Sequence, residues 1–327
     1  MAQLLGNRRL LEQLNTAVAE NRVAHAYLLC GGPGSGKKTL ADIMCRKILC
    51  SAGGCGRCAV CEKLEKRVHP DVTYLTGATK IGNYTVDQIR QLRKEALVYP
   101  NEGTKKIYIL ENAEKLTDNA QDAFLKILEE PPEFVVFILL CNDESKLLAT
   151  IHSRVIRLAM ETPAAEESAA WLLEQTGEDP ALIQTALKIS GGNPGQALEL
   201  LSDGTLQRRI DQCEEFCRML TECPVYDLAV FSHKLAADKA QFAAFVQLLC
   251  LYLRDVLVFR TTHSGEHLIF AESIARCQKS LVTLHLRNIP AVIEQMQQLA
   301  YLATQPYSML LIETKLVTLC VEQLVRQ

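Results

Sequence analysis

Aromatic residues make up only 6% of the 327-residue chain, and tryptophan occurs once, at position 171. A surface that stacks successive single-stranded bases needs several exposed rings, so this composition argues against that mode of nucleic-acid binding. A large excess of either charge sign is also lacking: 35 Lys and Arg against 38 Asp and Glu leave a formal net charge of −3. The chain as a whole does not attract a polyanion, and contact with DNA needs a local patch or a basic partner. No run approaches the roughly 18 continuous apolar residues of a membrane span. Met1 to Leu14 carries Arg8, Arg9 and Glu12 among its leucines, so it reads as an amphipathic helix and not as a signal peptide. Internal repeats and low-complexity tracts are absent. Hydrophobic residues at 48% with charged residues at 22% describe an ordinary soluble globular protein. Its length calls for two or three domains. Thirteen cysteines, an odd number without a secretory signal, point to a reducing compartment, so the expected location is cytoplasmic.

Residues 31–39, Gly31-Gly32-Pro33-Gly34-Ser35-Gly36-Lys37-Lys38-Thr39, follow the phosphate-loop pattern G-x-x-x-x-G-K-[ST] through Lys37 and then depart from it. Lys38 stands where a hydroxyl should hold magnesium, and Thr39 lies one residue out of phase. The context suits the motif: Ala26 to Cys30 is a short apolar run fit for a buried parallel strand, and Thr39 to Met44 begins a helical pattern. Backbone N–H groups and a helix N-terminus then face an anion. Gly31, Gly34, Gly36, Lys37, Lys38 and Thr39 are the candidate nucleotide-binding residues. Two readings of Lys37 stay open: a retained loop that only packs, and weak nucleotide binding.

The first half alternates β-like runs with helical patterns. Val72–Leu75, Lys106–Leu110, Phe134–Leu140 and Val155–Leu158 are the later strands. Thr85-Val86-Asp87-Gln88 reads as a capping box opening a helix to about Val98, and Thr117 as the cap of another that ends before Pro131-Pro132. Such alternation after a phosphate loop implies a parallel sheet covered on both faces. After Thr162-Pro163 the β-like runs vanish. Three short helices are expected, broken at Gly177–Pro180 and at Gly191–Pro194, and from about residue 206 the pattern is helical to the end. Phe242, Phe245, Val246, Leu249 and Leu253 form one core stripe, and Leu310, Leu311, Lys315 and Leu319 another. The expected divisions are an α/β domain over 1–162, a three-helix segment over 163–205 and an all-α domain over 206–327.

Cys50, Cys55, Cys58 and Cys61 follow C-x4-C-x2-C-x2-C, with Gly53, Gly54 and Gly56 between them to permit a tight loop. Four thiolates in a dozen residues suit tetrahedral zinc in a closed, structural site. Free thiols, a disulfide pair and an iron–sulfur cluster are the alternatives. The other nine cysteines are scattered, many at apolar helical positions, and read as small core residues.

Taken together, the phosphate loop, the four-cysteine insertion and His69-Pro70-Asp71 before a strand resemble bacterial clamp-loader subunits of the AAA+ superfamily. Residues 119–132, NAQDAFLKILEEPP, are similar to that family's NALLKTLEEPP segment, and Leu148 to Arg154 to the approach to its SRC motif, with Val155 in place of the final cysteine. The resemblance covers essentially the whole chain. It implies an AAA+ P-loop domain with a zinc insertion, then a helical lid and a helical collar for oligomerisation.

Within that family, ATP-hydrolysing motors must be separated from a non-hydrolysing subunit. A motor carries a Walker B carboxylate followed by a glutamate that orients water. Here Glu111 holds the acidic position and Asn112 the catalytic one, where an amide cannot accept a proton. Gly195, in Gly192-Asn193-Pro194-Gly195, stands where the lid normally places an arginine. The chain resembles the non-hydrolysing kind, with neither polymerase nor significant ATPase activity expected of it alone. The resemblance also makes Arg154 an arginine finger acting in trans, a task suited to an always-charged guanidinium. From sequence alone Arg154 is a surface arginine or a salt-bridge partner. The implied partners are motor subunits and a delta-type subunit, with the sliding clamp and primed DNA reached through the assembled complex. Arg90, Arg93 and Lys94 share one helix as a solvated face or, less simply, a DNA contact. The alternatives are an ATP-hydrolysing motor and a zinc-bearing AAA+ adaptor in another DNA transaction.

Overall fold

Five short runs pair side by side, three of them so apolar that every residue is buried, while the run Ile156-Arg157-Leu158-Ala159 forms an exposed edge. The computed structural model describes residues 4–79, 81–281 and 283–325, apart from the side chains of 278–280. Contacts divide the chain into two units, one through residue 175 with Ser190–Ala197 added, the other formed by Thr176–Ile189 and everything from Leu198 onward.

In the first unit the order is α1 (Arg8–Ala19), β1 (Ala26–Cys30), α2 (Lys37–Leu49), α3 (Ala59–Glu65), β2 (Val72–Leu75), α4 (Val86–Ala96), β3 (Lys106–Leu110), α5 (Asp118–Glu129), β4 (Val135–Cys141), α6 (Ala149–His152), β5 (Ile156–Ala159) and α7 (Ala165–Thr176). The strands lie in the order β2-β3-β4-β1-β5 and every pair is parallel. The period of two sends alternate side chains to opposite layers. Leu28, Tyr108, Phe137 and Leu139 pack with Ile89 and Leu92 of α4 and Phe124 of α5. Tyr27, Leu29, Ile107, Ile109 and Ile138 pack with Leu14 of α1, Leu40 and Met44 of α2 and Leu64 of α3. Both faces of the sheet are therefore covered, as the alternating sequence requires.

Several local readings shift. The N-terminal helix begins at Arg8, not within the first residues, and Met1–Gln3 lie outside the described residues. The strands expected at 134–140 and 155–158 each sit one residue further on, at Val135–Cys141 and Ile156–Ala159. Thr85 caps α4 by accepting the Gln88 N–H, but the Gln88 side chain does not return the bond; its Nε2 donates to Thr76 O at 2.7 Å. Thr117 occupies the N-cap position of α5 without capping it, because its hydroxyl is directed to Tyr84 O at 3.5 Å.

The second unit contains α8 (Pro180–Ile189) and the end of α9 (Pro194–Ser202), whose first residues belong to the first unit. It continues with α10 (Leu206–Glu222), α11 (Val225–Leu235), α12 (Lys239–Thr262), α13 (Ala271–Leu281), α14 (Ile289–Ala303) and α15 (Met309–Leu324). Phe216, Phe242, Phe245 and Tyr252 are fully buried at its centre. By length and composition α12 alone among the described helices could cross a membrane, yet 61% of its most apolar window is buried in the protein. The stripe expected along 310–319 is displaced: Leu310, Leu311 and Lys315 are exposed, while Ile312, Leu316, Val317, Leu319 and Cys320 face the core. Of the nine cysteines outside the C-x4-C-x2-C-x2-C loop, eight are buried and Cys223 is half-buried, as expected of small core residues.

Candidate functional site

In a parallel sheet the carboxyl ends of the strands open onto a crevice where helix N-termini converge. The loop after β1, Glu111 and Asn112 after β3, and Asn142 after β4 line one such cavity of about 500 Å³, together with Lys38 and Thr39. The phosphate loop is held shut by its own lysine. Lys37 Nζ donates to Gly31 O at 2.5 Å and Gly32 O at 2.7 Å, with Ser35 Oγ at 3.3 Å. Burial lowers the pKa of Lys37 from its ordinary value, partly opposed by the charge of Glu114. Gly36, at φ 88°, is the N-cap of α2 and brings no side chain to it, which leaves the first-turn N–H groups toward the cavity.

The acidic side of the cavity is occupied in an unexpected way. Lys38 Nζ lies 2.6 Å from Glu111 Oε2; the lysine side chain is 61% exposed and the glutamate 12%. Asn112 takes the left-handed conformation at φ 53°, which asparagine tolerates better than most residues. Its Oδ1 accepts from Asn142 Nδ2 at 3.1 Å, and the same amide donates to Glu114 Oε1 at 2.6 Å. Glu114 and Asn142 were not singled out in the sequence. The visible signal was the polar Asn142-Asp143 pair directly after seven apolar strand residues.

The segment carrying Gly195 belongs to the same unit as the loop. Asn193 Nδ2 donates to Pro33 O at 2.8 Å, while its Oδ1 accepts the N–H groups of Gly195 and Gln196, each at 3.1 Å. A Cβ placed on Gly195 would come within 2.2 Å of Gly34 O, and one on Gly34 within 2.7 Å of Gln196 N. Backbone meets backbone here, so the position admits glycine and no side chain without moving one of the two.

Arg154 follows α6 and precedes β5. Its Nη1 donates to Thr150 O at 2.9 Å and Ser153 Oγ at 3.1 Å, and its Nη2 to Glu129 Oε1 at 3.0 Å. One third of the side chain is exposed, and the Glu129 partner is more exposed still. An ion pair of this kind contributes about 0–1 kcal/mol, while Thr150 O and Ser153 Oγ hold the other guanidinium nitrogen. Arg90, Arg93 and Lys94 all lie on the exposed face of α4, where Arg90 pairs with Asp87 at 3.1 Å.

The cysteines close on one point. Cys50 follows α2, Cys58 is the N-cap of α3 and Cys61 lies in its first turn. The four Sγ atoms lie within 4.8 Å of one another, with Cys50 at 3.8 Å from Cys55 and 3.7 Å from Cys58. Zn–S bonds of about 2.3 Å in a tetrahedron place sulfurs roughly 3.8 Å apart, so the spacing fits a metal and not a disulfide. Backbone N–H groups, that of Cys55 first, hold the Cys50 thiol at about 6, in the range where it ionises readily. Gly53, Gly54 and Gly56 all take positive φ, as the turn between the first three ligands requires. The cluster is therefore able to bind a metal ion and is consistent with zinc.

His69 and Asp71 turn out to be structural. Asp71 is fully buried; its two oxygens accept the N–H groups of Asn101, Glu102 and Gly103 and the Asn101 amide, fixing the turn that leads into β3. His69 Nδ1 accepts the Asp71 N–H at 3.1 Å.

Sheet order, phosphate loop and following helices define a P-loop-type α/β protein. Residues 6–164 match the profile described as DNA polymerase III, delta subunit, and residues 163–202 that of the DNA polymerase III subunit delta' AAA+ ATPase lid domain. The chain is 32% identical over 254 residues to the DNA polymerase III subunit delta' of Pseudomonas aeruginosa, covering 76% of each protein. With the corresponding subunit of Yersinia pestis it shares 29% identity over 97% of this chain and 92% of that one. It is also 31% identical to the gamma/tau subunit of Mycobacterium tuberculosis, over 74% of this chain but only 43% of that protein. The chain belongs to the DNA polymerase III delta' family.

Proposed function

We propose that this protein is the non-hydrolysing subunit of a bacterial replicative clamp loader, and that it supplies Arg154 in trans to the ATP site of a neighbouring motor subunit. Residues 1–162 form its AAA+ module, 163–205 its lid and 206–327 a collar that joins motor and delta-type subunits. The assembled complex then places a sliding clamp on primed DNA during replication in the cytoplasm. The observation that carries this reading is the disablement of one cavity from three sides. Lys38 holds the acid that would serve magnesium, Asn112 offers a tethered amide where a carboxylate is required, and Gly195 leaves no room for a lid arginine. A subunit of this kind contributes through its neighbours. On this reading Arg154, one third exposed and paired with the more exposed Glu129, exchanges that carboxylate for a phosphate of the neighbour. The four cysteines hold one structural zinc, which ties the end of α2 to the start of α3 and leaves no coordination position for water.

The test is Arg154→Ala within the assembled complex. The variant should fold and assemble, because its guanidinium touches only surface groups. Hydrolysis at the adjacent motor site, measured in pre-steady state with only that subunit competent, should fall on the order of 10³-fold. Unchanged hydrolysis at that site would return Arg154 to the status of an ordinary surface arginine.

A further inference from the structure

A magnesium nucleotide needs oxygen ligands on both sides of the ion: a hydroxyl from the phosphate loop and a carboxylate from the neighbouring strand, with the phosphates between them. Magnesium also demands a nearly octahedral shell at about 2.0–2.1 Å, so it tolerates little displacement of those ligands. In this cavity the carboxylate is present as Glu111, but the hydroxyl is replaced by Lys38. Thr39 is turned about 100° further around α2. Lys38 does more than fail to supply an oxygen. Its ammonium reaches across the cavity mouth to Glu111 Oε2 at 2.6 Å, where the glutamate is largely buried and needs a counter-charge. A tethered ammonium supplies that charge without a loss of translational freedom, an advantage that a free ion lacks. A divalent cation on the same carboxylate oxygen would stand within a few ångströms of the ammonium, and the two would repel. The other acid nearby, Glu114, is engaged at both oxygens by the backbone and side-chain amides of Asn142. The residues present therefore do not fit a magnesium nucleotide.

We propose that the Lys38 ammonium is the resident cation of the phosphate-loop cavity, that it excludes magnesium from Glu111, and that any nucleoside polyphosphate entering the cavity does so as a metal-free anion. Such an anion meets the uncapped first turn of α2 and two lysines, once Lys37 releases the carbonyls of Gly31 and Gly32. The proposal rests on the non-hydrolysing reading only for the assignment of the loop as a phosphate site. It is independent of Arg154.

The experiment titrates a fluorescent ADP analogue into the purified full chain, once in EDTA and once in excess magnesium, for the native protein, Lys38→Thr and the double variant Lys38→Thr with Glu111→Gln. Lys38 is exposed, so its replacement should leave the fold intact, which circular dichroism and zinc content check. The native protein should show no tightening in magnesium beyond about twofold. Lys38→Thr should gain about tenfold in affinity on adding magnesium, and Glu111→Gln should abolish that gain. Tightening of the native protein by magnesium would overturn the proposal. So would a Lys38→Thr variant indifferent to the metal, including the case in which it binds no nucleotide at all. Since the readout is binding by the isolated chain, failure here leaves the trans action of Arg154 untouched, and failure of Arg154→Ala leaves this result standing.

Discussion

A single buried carboxylate shows how a residue marked by a family motif acquires a physical role. Burial alone would raise the pKa of Asp71, but the N–H groups of Asn101, Glu102 and Gly103, with the Asn101 amide, outweigh it and hold the pKa below its ordinary value. A depressed carboxyl contributes stability above its unfolded pKa of about 4, and that contribution is lost as pH falls through the folded value. Asp71→Asn should therefore cost roughly 2–3 kcal/mol at neutral pH, since it weakens several bonds made to a charged acceptor. Urea unfolding of both proteins from pH 6 downward checks this. The gap should narrow below about pH 4, and a gap that stays constant would show that the charge is not its source.

At the scale of elements, helix ends carry more of the chemistry than helix bodies. The end of α2 and the start of α3 present thiols to one another across a glycine-rich turn, and the opposite end of α2 presents its first-turn amides to the phosphate cavity. A metal at the cysteines would thus staple the end of α2 that faces away from the nucleotide site. The protein prepared without chelators should hold about one zinc, and Cys58→Ser should lose it. Hydrogen exchange should then quicken in α3 and the 50–58 turn, with the first turn of α2 unchanged. Elemental analysis that finds no zinc in the native protein would refute the assignment.

On the proposed function, the molecule as a whole keeps the backbone of a phosphate loop without the groups that turn binding into hydrolysis. The isolated chain should turn over no ATP above background, because Asn112, Lys38 and Gly195 stand where a catalytic glutamate, a hydroxyl and a lid arginine would be needed. Steady hydrolysis abolished by Lys37→Ala would overturn this and would make the chain a motor. The 31% identity to a gamma/tau subunit makes that control necessary, since overall similarity does not separate the two kinds of subunit.

Much of the architecture was legible because it follows from period and punctuation. Alternating apolar runs and capped helices marked the parallel sheet, glycines and one lysine marked the phosphate loop, and the spacing of four cysteines marked a metal cluster. These depend on neighbours within a few residues, which a linear reading sees. What was not legible depends on residues brought together from distant segments. The pairing of Lys38 with Glu111, 73 positions apart, exists because β1 and β3 end on the same edge of one sheet. The close approach of Gly195 to Gly34 exists because the 190–197 segment packs on the loop. The displaced stripe on α15 and the diverted hydroxyl of Thr117 have the same origin: which face is buried, and which carbonyl lies nearest, is decided by the partner element. The sequence alone determined which chemical groups this protein carries and in what order. Only the tertiary structure decided that Lys38 pairs with Glu111, because that takes two strands, a helix and a distance.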